Sequence, residues 1–144
     1  MYSDVIEFNV SGTIHSTTIE TISHDKRSAL YQWYVEHKGS YHLIKDKNGL
    51  FFVDRDPVCF SIVLNYLRLQ KARQLWEVCL PKDPDRLALL TQEAEYYKLP
   101  ELRDQAIALL QSADEQGNNS YVSEFLSKSA SFSTGFDNLN LNAH

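Results

Sequence analysis

From Val5 to Val10 the chain alternates, with Val5, Glu7 and Asn9 on one side and Ile6, Phe8 and Val10 on the other. A period of two is that of a strand with one buried face. Gly12 breaks the alternation. Thr13 to Thr18 is rich in β-branched residues, so this segment is expected to return as the second strand of a hairpin. The period then changes: Leu30, Trp33 and Tyr34 recur at i, i+3 and i+4, which predicts a helix from Lys26 to Glu36. A second hairpin is expected where His42-Leu43-Ile44 and Leu50-Phe51-Phe52-Val53 flank Asn48-Gly49, a pair that tolerates positive φ.

Helix starts follow. Asp56 can accept hydrogen bonds from the free N–H groups of a first turn, and Pro57 fits the first helical position. Phe60, Val63, Leu64 and Leu67 then form an apolar stripe. Asp83-Pro84 repeats the start signal before Leu87, Leu90, Ala94 and Tyr97. Leu99-Pro100 stops that helix and opens another, with Leu102, Ala106 and Leu109 aligned. The linker from Lys71 to Lys82 has no clear period but holds Leu75, Trp76 and Val78. These patterns give an α/β (α+β) fold, a small mixed sheet of hairpins flanked by helices, over residues 1–113. From Asp114 the composition turns to Ser and Asn with isolated aromatics. Residues 114–144 are expected to be a disordered polar tail that is dispensable for folding.

Composition narrows the function. With 144 residues, 43% hydrophobic and 23% charged, the chain can build one core without a metal or disulfide. Its net charge of −5 argues against nucleic acid as a partner. Cys59 and Cys79 form no scaffold pattern and are expected as free thiols in a reducing compartment. No basic and apolar leader and no membrane-length apolar run is visible, so a cytoplasmic protein without membrane insertion is expected.

Catalytic chemistry finds no motif. Gly12, Gly39, Gly49, Gly117 and Gly135 are too scattered for a phosphate loop, and no serine has flanking glycines at elbow spacing. His37 and His42, near Glu36 and Asp46, lack the spacing that would aim both imidazoles at one metal. The carboxylates Glu93, Glu95, Glu101 and Asp104 read as a solvated helix face balanced by Lys98 and Arg103. No enzyme, cofactor or metal site is therefore expected. Two features stay open. Trp76 is either a satellite core residue or an exposed partner contact. Arg55, between Asp54 and Asp56, either decorates a helix start or reaches across a subunit boundary.

Three ordered segments resemble BTB/POZ domains of the potassium-channel tetramerisation (KCTD-like) family. Val5 to Ile22, VIEFNVSGTIHSTTIETI, resembles the family's opening hairpin and short helix. Asn48 to Arg68, NGLFFVDRDPVCFSIVLNYLR, is similar to its strand into Asp-Arg-Asp-Pro and the following helix. Leu87 to Leu102, LALLTQEAEYYKLPEL, is similar to its Glu-Ala-Glu-Tyr stretch. Ser11 stands where the opening turn usually has glycine, and Gln70-Lys71 where a Thr-Gly turn is usual.

The resemblance implies a BTB/POZ fold and a homo-oligomeric ring, tetrameric or pentameric. Ring contacts would be polar, from Asn9, Ser11, Thr17 and Thr18 in the hairpin together with Asp54, Arg55 and Glu93. Some relatives bind an interfacial zinc through a Cys-Cys pair, which this chain lacks. The implied function is a homo-oligomerising protein–protein interaction domain serving as adaptor for a cullin-type E3 ubiquitin ligase. Tyr34-Val35-Glu36 is similar to a hydrophobic-x-Glu cullin contact, which makes Tyr34 and Glu36, with Trp76, the candidate partner contacts. The alternative is the cytoplasmic assembly domain of a voltage-gated potassium-channel-like protein.

Overall fold

Strands β1 (Val5–Val10) and β2 (Thr13–Thr18) pair antiparallel from Val5 opposite Thr18 to Val10 opposite Thr13. The computed structural model describes residues 4–37, 43–115 and 122–128. Ser11 and Gly12 join the strands with φ of 50° and 101°. Two consecutive positive φ values give a turn whose twist matches that of the strands it connects. Ile6, Phe8 and Val10 are buried and Val5 is exposed, the alternation read from the sequence.

The sheet is completed from a distance. β3 (Ile44–Lys45) pairs antiparallel with β4 (Phe51–Val53), and β4 lies parallel to β1 with Phe8, Asn9 and Val10 opposite Phe51, Phe52 and Val53. The strand order is β2-β1-β4-β3. Of the expected Asn48-Gly49 turn, only Gly49 takes positive φ, at 80°. Asp46 organises the connection instead, its carboxylate accepting from the N–H groups of Asn48 and Leu50, both at 2.9 Å. His42 lies outside the described residues.

Helices cover one face of this sheet. Thr18 caps the single turn α1 (Ile19–Ile22). The helix expected from Lys26 begins only at Ala29, because the Asp25 carboxylate and carbonyl hold the preceding turn by accepting from Arg27 N and Ser28 N, both at 3.0 Å. Ser28 then caps α2 (Ala29–Tyr31), which continues through Gln32–Glu36 as a π-helix. α3 (Pro57–Lys71) and α4 (Pro84–Tyr96) start where the sequence indicated, with Asp56 and Asp83 accepting from Cys59 N and Arg86 N. Lys98, at φ 59°, ends α4 in the left-handed region, and α5 (Pro100–Glu115) packs back on it.

The core gathers around Phe8. Its ring meets Tyr34 edge-on at 4.8 Å and Phe60 at 5.4 Å, and Phe60 meets Tyr97 at 5.7 Å. One strand, the π-helical turn, α3 and the end of α4 are thereby joined through aromatic rings, each contact adding about 0.5–1.5 kcal/mol beyond burial. The stripe Phe60, Val63, Leu64 and Leu67 is buried as expected, as are Leu87, Leu90, Ala94 and Tyr97. Trp76 opens a 3-10 turn (Trp76–Cys79) and stands at 90° to the Tyr66 ring at 4.8 Å, so it is a satellite of the core.

The expected boundary at Asp114 needs correcting. α5 continues to Glu115, and residues 122–128 form a further helix, α6. Val122 is 1% exposed and belongs to the core, with Phe125 and Leu126 packed beside it. Three apolar residues one helical turn apart suffice to dock α6, although the surrounding composition is polar. A truncation after Glu115 is expected to fold but to lose about 1.5–3 kcal/mol, the burial of one such side chain. Urea unfolding measures it; an unchanged midpoint would show that α6 adds nothing.

Candidate functional site

The C-terminal ends of β1 and β4 converge at one end of the sheet, and polar residues from four elements lock them together there. Ser11 N donates to the Val53 carbonyl at 3.0 Å, and Ser11 Oγ donates to the Arg55 carbonyl at 2.8 Å. Asn9 works in two directions: Oδ1 accepts from Gly12 N at 2.8 Å, and Nδ2 donates to Asp46 Oδ2 at 2.8 Å. The first hairpin is therefore tied both to the second hairpin and to the entrance of α3.

Arg55 fixes that entrance to α4. Its Nε donates to Glu93 Oε2 at 2.9 Å, and its guanidinium lies 4.0 Å from the centre of the Tyr96 ring. Glu93 is 4% exposed, so the carboxylate depends on this one partner within the core of the chain. Asp56, the cap of α3, also receives Arg86 Nη1 at 3.1 Å. Asp54 is exposed and, among the described residues, has no hydrogen-bond or ion-pair partner.

The expected contact residues fall into distinct groups. Asn9, Ser11, Asp54 and Arg55 lie together at this end of the sheet. Arg55 and Glu93, which the resemblance set facing a neighbouring subunit, are bonded to each other inside one chain. Thr17 and Thr18 lie at the opposite end of the β1–β2 ladder. Thr17 is buried at 6% exposure and its hydroxyl has no partner among the described residues, while Thr18 is occupied capping α1. Tyr34 corrects the cullin-contact reading: it is 6% exposed, held among Phe8 and Phe51, so its ring belongs to the core. Glu36 is exposed. Asp46 is the residue that sequence reasoning missed, since its partner Asn9 is 37 positions away.

The two thiols are not activated as nucleophiles. Burial pushes the Cys59 thiol up to about 12 and the Cys79 thiol up to about 11, so both stay protonated at neutral pH. Among the described residues no group of His, Cys, Asp and Glu is placed to hold a metal ion, and no helix is long and apolar enough to cross a membrane. What the arrangement offers is a rigid polar surface on a sheet end.

That architecture has relatives. The BTB/POZ domain family matches residues 6–106. The chain belongs to the BTB/POZ family. Within it the KCTD-like branch is indicated by the BTB/POZ domain-containing protein KCTD5 of Homo sapiens, Mus musculus and Bos taurus, each 35% identical over 97 residues. The match covers 67% of this chain and 38% of each relative, so this BTB/POZ domain spans well under half of the curated proteins it resembles. A BTB/POZ domain is a protein–protein interaction and oligomerisation domain, and a mixed four-stranded sheet with flanking helices is the fold seen here.

Two measurements check the geometry. Arg55→Met alone strands Glu93 and is expected to cost about 3 kcal/mol, the low end for a buried pair because Arg55 keeps 32% of its side chain exposed. The double variant Arg55→Met/Glu93→Met is expected to recover much of that loss in urea unfolding; additive losses would mean that the two are uncoupled.

Asp46 provides the pH test. Its carboxyl is held below the ordinary 3.8 first by the Asn9 amide, then by the N–H groups of Leu50 and Asn48. A depressed value means that this contribution to stability is present above pH 3.8 and is lost as pH falls through the folded value. The amide resonances of Asn48 and Leu50 and the Asn9 side chain are expected to shift together in acid, with a midpoint below 3.8 that Asn9→Ala raises. Three unrelated midpoints would dissolve the network.

Proposed function

We propose that this BTB/POZ domain assembles with copies of itself into a tetrameric or pentameric ring, acts without catalysis, and presents the ring as an adaptor in the cytoplasm. The observation that carries the reading is the sheet end at Asn9, Ser11, Asp54 and Arg55. There every side chain but one is fixed by the chain's own bonds, and Asp54 is left free and exposed. A preorganised polar surface of this kind loses little conformational freedom on association, which favours specific contacts over loose ones.

The partner for which such an adaptor is suited is a cullin-type ubiquitin ligase scaffold. The exposed Glu36, following the half-buried Val35 on the π-helical turn, is the group available for that contact. Tyr34 supports it from below by holding the turn on Phe8 and Phe51. The KCTD5 relatives are named as BTB/POZ domain-containing proteins, a name that favours the adaptor over a channel assembly domain.

Light scattering at tens of micromolar, where all but weak contacts are populated, is expected to give four or five times the mass of one chain. Adding a cullin N-terminal fragment is expected to raise that mass, and Glu36→Ala to abolish the increase. A monomer refutes self-association. An assembled particle that ignores the fragment refutes the adaptor role alone.

A further inference from the structure

Two surfaces have no role within a single chain. The first is a cavity of about 260 Å³ beside the end of β4, lined by Trp33, Tyr34, Ile44, Phe52, Asp54 and Tyr96. Trp33 and Tyr96 meet edge to face at 5.4 Å, and Ile44 is 62% exposed. Aromatic walls beside an unpaired carboxylate are suited to a cation. Arg55, its neighbour in the chain, is bonded to Glu93 and covers Tyr96, and Asp54 has no ion pair among the described residues.

The second surface lies past the other end of α3. Arg73 is exposed at φ 58° and has no ion pair among the described residues. Leu75 and Val78, two and five positions further on, are 66% and 69% exposed. A cation flanked by bare apolar side chains is the complement of an apolar cavity that carries a carboxylate. α3 has 15 residues, so its two ends are about 22 Å apart and one copy cannot join its own two surfaces. A head-to-tail contact between copies can, and contacts of that kind close into rings where the rotation from copy to copy closes.

We propose that, in the self-assembly argued above, on which this inference rests, Arg73 of one copy enters the cavity formed by Trp33, Tyr96 and Asp54 of the next. Its guanidinium lies against Trp33, since Arg55 of the same chain already covers Tyr96, and pairs with the Asp54 carboxylate, while Leu75 and Val78 cover Ile44. Lys26, Lys45, Lys47, Lys82 and Lys98 also lack an ion pair among the described residues, and so does Arg68, whose guanidinium is engaged by Asn65 and the Ser16 carbonyl. Arg73 is the better fit, because a planar guanidinium stacks and bonds a carboxylate with two N–H groups at once, and because the exposed Leu75 and Val78 follow it closely in the chain.

The test is a charge exchange in the full chain, read by native mass and circular dichroism. Asp54→Arg and Arg73→Asp are each expected to raise the dissociation constant at least tenfold with an unchanged spectrum. Asp54→Arg/Arg73→Asp, which restores opposite charges, is expected to return the mass to that of the wild type. Asp54→Asn, which adds no bulk, is expected to weaken assembly less than Asp54→Arg and serves if the latter unfolds. A wild-type ring with both single variants intact overturns the contact, leaving the cavity to a different partner. Disruption by Asp54→Arg but not by Arg73→Asp overturns Arg73 as the occupant. Failure of the folded double variant to reassemble also overturns it. A monomeric wild type instead sinks the self-association reading itself.

Discussion

Everything at the polar end of this sheet depends on a short parallel ladder, Phe8, Asn9 and Val10 against Phe51, Phe52 and Val53. Closing a loop of some forty residues to form it costs roughly 3 kcal/mol of chain entropy, and three residue pairs offset that only with help. The help comes from both layers. Below the sheet, Phe8 is fully buried against Tyr34 and Phe60. At the strand ends, Ser11 and Asn9 bond across to Val53, Arg55 and Asp46. Apolar packing sets the register, and the polar bonds set where the strand ends point.

The Arg55–Glu93 pair extends the same logic to the helices. A carboxylate this buried is costly to desolvate, so its value as a source of stability is small. Its effect is to fix one geometry: the entrance of α3 can approach α4 only where the guanidinium meets Glu93 and covers Tyr96. The chain thus accepts a polar group in its interior, and the turn from β4 into α3 is held in one place.

Much of the fold could be read from local signals. The alternation of β1, the Asp-Pro starts of α3 and α4 and the stripes of both helices involve residues at most a few turns apart, where spacing alone decides the face. The polar end of the sheet was legible in part. Asp54 and Arg55 stand out by charge, but their surroundings do not, because Asn9 meets Asp46 across 37 positions and Arg55 meets Glu93 across 38. Tyr34 misled for a related reason: a hydrophobic-x-Glu tripeptide looks the same whether its ring faces a partner or the chain's own core. The packing of Val122 was hidden because a docked helix needs only one apolar face, and the composition of the tail averages that face with its polar surroundings.

Ser11 occupies a left-handed conformation that glycine adopts freely and a side chain adopts at a cost of about 1–2 kcal/mol. A glycine at this position would relax the turn but carry no hydroxyl. Here the strained residue acts as a rivet: its N–H holds β4 and its Oγ holds the first residue of the bend into α3. The angle at which α3 leaves the sheet is therefore set by a side chain in this protein, whereas a glycine turn would leave it to backbone and packing alone. One atom at the tip of a hairpin trades ease of bending for mechanical coupling, and the stiffness of the whole sheet end follows from that exchange.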